Sequence, residues 1–244
     1  MKALVTASLA ILGVLAGTQA QAASTTTING SNGSSTASLT FNLLDSSTLL
    51  VTMTNTSVGG ATSFDDVLTG FFFSQPSSAV TPVSVALATG SGIANCAACG
   101  GVSNVSGEYY FASGVYGLKG SQAANVVSAA DFGFLTATVG NTPVLSANGG
   151  IDFGLVSNTT NFGQSMFTGS PLITQSINVT YTLGSGTFDL RSLSGGFLWG
   201  NTYLAPLGGT FSMTDVSAPE PATFLMMGLG LAGVIFLHRR RKRA

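Results

Sequence analysis

Histidine, cysteine and paired carboxylates are the side chains most often recruited for chemistry, and this 244-residue chain places them restrictively. Its one histidine, His238, lies in the final basic stretch, so residues 23–218 hold none. Nucleophilic Ser-His-Asp and Cys-His sites need an imidazole to take and return a proton near neutral pH, and histidine-liganded zinc needs the ring nitrogens. These classes are excluded for that segment. The two cysteines form Cys96-Ala97-Ala98-Cys99. A redox C-x-x-C uses a following helix N-terminus to lower its thiol pKa, whereas Gly100-Gly101 follow here. The favoured reading is a local disulfide staple, with redox catalysis as the lesser alternative. Two thiols cannot complete a four-thiolate zinc site.

Asp65 and Asp66 are adjacent carboxylates that could help hold calcium, but the D-x-D-x-D spacing of a calcium loop is missing. Ser63 ahead of them reads as a cap, giving a single helical turn ended by Gly70. Two carboxylates elsewhere could act as a glycosidase acid and base, yet no spacing pairs them. Trp199, Tyr109, Tyr110, Tyr116, Tyr181 and Tyr203 could form a stacking platform for sugars, although core packing is the commoner fate of such residues. No catalytic, cofactor-binding or metal-binding residue is assigned, and no cofactor is expected.

The segment that carries these residues has an unusual composition. Only 7% of the chain is charged, against about a quarter in ordinary soluble domains, so solubility falls to Ser, Thr, Asn and Gly. Between residues 23 and 218 eight acids face two bases, Lys119 and Arg191, leaving −6. Nucleic acid is therefore not an expected partner, because phosphate binding needs concentrated cations.

Met1-Lys2, an apolar run and Ala20-Gln21-Ala22 give residues 1–22 the form of a secretory signal peptide. Signal peptidase and Sec-type export machinery are the expected partners, with maturation near Ala22 or Ala23. A second apolar run, 222–237, precedes Arg239, Arg240, Arg241, Lys242 and Arg243. As a helix it reaches about 24 Å, somewhat short of the roughly 30 Å hydrocarbon core. Snorkelling arginines or local thinning absorb that mismatch. Cations beside an apolar segment stay cytoplasmic, which agrees with an exported segment before it. The expectation is one C-terminal transmembrane helix, 222–237, a basic stop-transfer tail, 238–244, and a transient membrane anchor.

Pro219-Glu220-Pro221-Ala222-Thr223, the Gly-punctuated run through Gly228-Leu229-Gly230-Leu231-Ala232-Gly233 and the Arg block together resemble the PEP-CTERM sorting signal of Gram-negative bacteria. The resemblance covers 219–244. It implies recognition by an exosortase that processes its clients near Pro219, Glu220 and Pro221, and a setting in exopolysaccharide or biofilm matrix. The two prolines keep that motif extended and accessible. The segment Phe64 to Phe73 also looks like one found in some exosortase-dependent surface proteins.

Residues 23–218 read as a single all-β ectodomain, a β-sandwich or jelly roll, with 23–38 a loose Ser/Thr/Asn/Gly leader. Period-two alternation marks strands at Leu49 to Thr54 and Ile177 to Leu183, with Ser38 to Leu44 completing a hairpin through Asp45-Ser46-Ser47-Thr48. Further strands are expected at 80–89, 108–112, 132–139, 151–156, 187–190 and 210–213. The function expected is that of a non-enzymatic surface or extracellular protein that passes through an inner-membrane intermediate. The alternatives are a carbohydrate-binding module or carbohydrate-active enzyme with the same tail, and a permanently anchored single-span protein.

Overall fold

Apolar residues alternate with Thr through Leu49–Thr54, and in the computed structural model this stretch lies in a strand with every second side chain buried. The structure describes residues 24–74, 79–115, 124–130, 137–138, 151–186, 188–200 and 212–214. In chain order the strands are β1 Ser24–Asn32, β2 Ser35–Leu43, β3 Thr48–Asn55, β4 Leu68–Ser74, β5 Val80–Leu87, β6 Gly92–Ala94 and β7 Tyr110–Val115. They continue with β8 Ala124–Ser128, β9 Ala137–Thr138, β10 Leu155–Val156, β11 Leu172–Thr174, β12 Ser176–Leu183, β13 Ser194–Trp199 and β14 Ser212–Thr214. Helix among the described residues is limited to four 3-10 turns of three residues each. The all-β expectation holds.

The strands form two sheets. One has six strands in the order β14-β1-β2-β3-β12-β5, and the other has eight, running β6-β11-β10-β4-β8-β7-β9 with β13 also paired to β4. In the six-stranded sheet the expected β2–β3 hairpin is present, with Leu43 opposite Leu49 and Leu39 opposite Met53. β5 forms one edge, where Pro82 and a register shift against β12 interrupt regular pairing. Such irregularities discourage edge-to-edge association.

The inward face of the six-stranded sheet meets the eight-stranded sheet in one shared core. Phe73 of β4 is its hub. The ring lies edge-on to Phe41 at 5.4 Å and to Tyr181 at 5.5 Å, while Phe71 stacks beside it at 6.2 Å. Burying an aromatic ring of this kind contributes about 1.5–3 kcal/mol. Phe72, between them, points the other way and packs with Ala124, Val126 and Leu198. Gly196 makes room for it: a Cβ there would sit 2.7 Å from Phe72 Cζ. Every residue of β4 is consequently buried.

Several expectations are corrected. The leader expected at 23–38 is loose only in composition: Ser24–Asn32 pairs along its full length with Ser35–Leu43. Thr and Ser suit an outward sheet face, and Ile28, Ala37 and Leu39 supply the buried side. Residues 188–190 form no strand, because Asp189 accepts the Arg191 N–H at 2.9 Å and turns the chain into the 3-10 segment Leu190–Ser192. Only Leu155–Val156 of 151–156 is paired, since Phe153 takes a left-handed φ of 59° just before it. The strand expected at 108–112 starts at Tyr110, after the 3-10 turn Ser106–Glu108. The turn expected to run to Gly70 ends at Val67, and Gly70 lies inside β4. Of 132–139 only Ala137–Thr138 is described, and the strand expected at 210–213 appears as Ser212–Thr214.

Among the described residues no helix is long and apolar enough to cross a membrane. The segments expected as signal peptide, 1–22, and transmembrane helix, 222–237, lie outside the described residues.

Candidate functional site

The functional candidate with the strongest sequence signal is the tail, and the described fold delivers the chain to it through β14. β14 pairs antiparallel with β1, Thr27 opposite Thr214 and Asn29 opposite Ser212. The chain therefore leaves β14 toward the end of the sheet at which β1 begins. The expected leader attaches to Ser24, the first residue of β1, and the tail follows Thr214, so both expected address segments join the ectodomain at one end of two neighbouring strands. Pro219 lies five residues beyond Thr214, a reach of at most about 18 Å when extended. Pro219, Glu220, Pro221, Arg239, Arg240, Arg241, Lys242 and Arg243 themselves lie outside the described residues.

Asp65 and Asp66 sit at the opposite end of the sheet, against the β1–β2 turn. Asn32 Nδ2 donates to the Asp65 carbonyl oxygen at 3.0 Å, and Ser35 Oγ to Asp66 Oδ1 at 2.9 Å. Asp66 Oδ2 accepts the Thr62 N–H at 2.8 Å, the Ser63 N–H at 2.9 Å and the Thr62 hydroxyl at 2.9 Å. Burial pushes the Asp66 carboxyl upward, but these hydrogen bonds outweigh it and hold the group below its ordinary value. Both oxygens thus serve the protein: Asp66 fastens the loop before β4 to the first hairpin. Among the described residues no group of three or more His, Cys, Asp or Glu gathers as a metal site.

Cys96 and Cys99 form a disulfide, with Cα atoms 5.3 Å apart. Cys99 is buried, and the chain beyond it turns through Gly101 at φ 80° without entering a helix. The helix dipole that would activate a redox thiol is absent at this position. Asn95, also left-handed at φ 58°, donates through Nδ2 to the Phe167 carbonyl oxygen at 2.9 Å and anchors the stapled loop.

The aromatic platform considered from sequence does not assemble from its described members. Trp199, Tyr109 and Tyr181 are buried in the shared core, and Tyr110 is half-buried in β7. Tyr116 and Tyr203 lie outside the described residues. Tyr109 donates its hydroxyl to the Phe153 carbonyl oxygen, and burial raises the pKa of both Tyr109 and Tyr181. Sequence reasoning did not single out this Tyr109 contact. The left-handed Phe153 that makes it possible carries no composition signal, unlike a glycine or asparagine at such a position.

The PEP-CTERM protein-sorting motif model matches residues 217–242. That model describes the C-terminal sorting signal of exosortase-dependent proteins, and the match takes in Pro219-Glu220-Pro221, the apolar run and four of the five closing cations. The comparisons with curated proteins and with solved structures give no match.

Proposed function

We propose that this chain is a non-enzymatic client of an exosortase, exported through the inner membrane, held there by 222–237, and processed near Pro219-Glu220-Pro221 for delivery to the cell surface or beyond. The match of 217–242 to the sorting motif carries this reading. The neighbouring ends of β1 and β14 are in keeping with it, because the expected leader and tail then leave the ectodomain from one end of the sheet. The basic block fits the cytoplasmic flank. At its destination the ectodomain associates with exopolysaccharide, which is the setting the sorting signal suggests.

The test is the mass of the mature C-terminus. The full chain is produced in a Gram-negative host with its exosortase and in the same host lacking it. Loss of the segment bearing Arg239 to Arg243 only when exosortase is present is the expected result. An intact tail on the accumulated protein in both hosts would favour permanent anchoring and overturn the proposal.

A further inference from the structure

The two outward faces of the fold differ in kind. On the eight-stranded sheet the outward side chains Phe72, Val126 and Leu198 are apolar and buried. On the six-stranded sheet, β1, β2, β3 and β12 have sixteen outward positions. Fifteen hold Thr, Ser or Asn, the remaining one is Leu50, and all are partly or fully exposed. None is charged. At about 4.8 Å between strands and about 3.4 Å per residue, the face measures about 14 by 20 Å.

Its polar groups are arranged in rows that cross the strands. Thr27 lies opposite Thr40, Thr40 opposite Thr52, and Thr52 opposite Asn178. The Thr27 and Thr40 hydroxyls are 3.1 Å apart, and Thr52 Oγ1 donates to Asn178 Oδ1 at 2.8 Å. In the next row Ser176 Oγ donates to Thr54 Oγ1 at 2.9 Å. These pairs restrict side chains of which the threonines are already stiff at χ1, so a ligand that binds them costs little rotamer freedom. Each hydroxyl still has a lone pair or a proton to offer, because it donates once and accepts twice.

We infer that this face binds neutral polysaccharide. An ionic polymer finds no countercharge on it, and a polyanion is also repelled by the acidic ectodomain. An apolar partner finds only Leu50 on these four strands, with Val83 on the neighbouring edge strand β5. What the rows match is a polymer bearing hydroxyl groups at regular intervals along both edges. With the buried aromatics unable to stack on sugar rings, attraction comes from many weak hydrogen bonds acting together, and so grows with polymer length. The inference rests on the exopolysaccharide association proposed above and assigns it a surface.

The experiment uses the full chain in mild detergent, co-sedimented with an insoluble neutral β-glucan and, separately, with an insoluble polyuronate. Wild type is expected to pellet with the glucan and at least tenfold less with the polyuronate. Soluble glucan oligomers should compete better as they lengthen. The variant Thr27→Val/Thr40→Val/Thr52→Val keeps β-branched side chains that suit a strand and removes three hydroxyls. It is expected to keep its circular dichroism spectrum and to lose at least tenfold in glucan binding. Unchanged binding by that variant overturns the surface assignment and leaves the association standing. Retention of wild type on the polyuronate and not on the glucan overturns the inference and leaves the association standing, whereas retention on neither overturns both. Self-association of wild type that the variant abolishes would assign the face to a second copy of the chain and also overturn the inference. If the triple variant loses its fold, Thr52→Val alone is read in the same way, with a smaller loss expected.

Discussion

The Tyr109 hydroxyl donates to the carbonyl oxygen of Phe153 at 2.7 Å, and both residues are fully buried. Phe153 is held at φ 59°, a conformation disfavoured for a bulky residue. Its N–H donates to the Pro171 carbonyl oxygen at 2.6 Å, so hydrogen bonds grip both sides of the strained residue. Tyr109→Phe removes one grip and leaves a buried carbonyl without its donor. A loss of about 1–3 kcal/mol is expected, read from urea midpoints at constant m-value. An unchanged midpoint would show that the contact is dispensable.

Gly70 of β4 lies directly opposite Ser128 of the neighbouring strand β8. A Cβ there would lie 2.7 Å from Ser128 Cβ and 2.8 Å from Ser128 Cα, and would press on the Val127 carbonyl oxygen. Backbone atoms cannot turn aside as a side chain can. Gly70→Ala is therefore expected to cost about 3 kcal/mol, the upper end for overpacking. Thermal denaturation checks this, with Gly59→Ala as the comparison, since a Cβ at Gly59 meets nothing within 4 Å.

Asp66 should make stability acid-sensitive. Its folded pKa is below the ordinary 3.8, so its contribution is present in full above the unfolded value and disappears as pH falls through the folded one. Asp66→Asn is expected to be less stable than wild type at pH 7. The gap between the two should narrow as pH falls below about 4. Urea titrations at pH 7 and pH 3 measure it, and an equal gap at both would remove Asp66 from the acid response.

Reducing the Cys96–Cys99 disulfide closes off no catalytic route in the function proposed here, so its effect should be on stability alone. The loop it spans is short, and chain-entropy arguments give about 2 kcal/mol for such a closure. Cys96→Ser/Cys99→Ser should lose about that much or less, with exosortase-dependent processing unchanged. A processing defect in a stably folded double variant would contradict a purely structural role.

Legibility of the fold followed solvent exposure. β3 and β12 alternate because one face is core and the other meets water, and the period of two showed in both. β4 reads Leu-Thr-Gly-Phe-Phe-Phe-Ser without alternation because the core lies on one side and Phe72's cluster on the other. β8 and β13 were missed for the same reason, their side chains being buried almost throughout. β1 erred in the opposite direction: its hydroxyl-rich side resembles a linker in composition, and only pairing with β2 reveals that Thr25, Thr27 and Asn29 line a sheet. The sorting motif was legible in full because it is recognised as linear sequence and requires no tertiary contact. Asp66 was legible only as an acid in the turn capped by Ser63, since Ser35, which donates to it, is 31 residues away in the chain.

The pairing of β14 with β1 ends at Thr214, and Pro219 lies downstream. Scission at or past that proline, as proposed above, leaves every ladder pairing among the described residues intact. On the proposed route, detachment from the membrane would leave the described strands as they stand, and a different chemical group could cap the stub beyond Thr214 without unpairing β14 from β1.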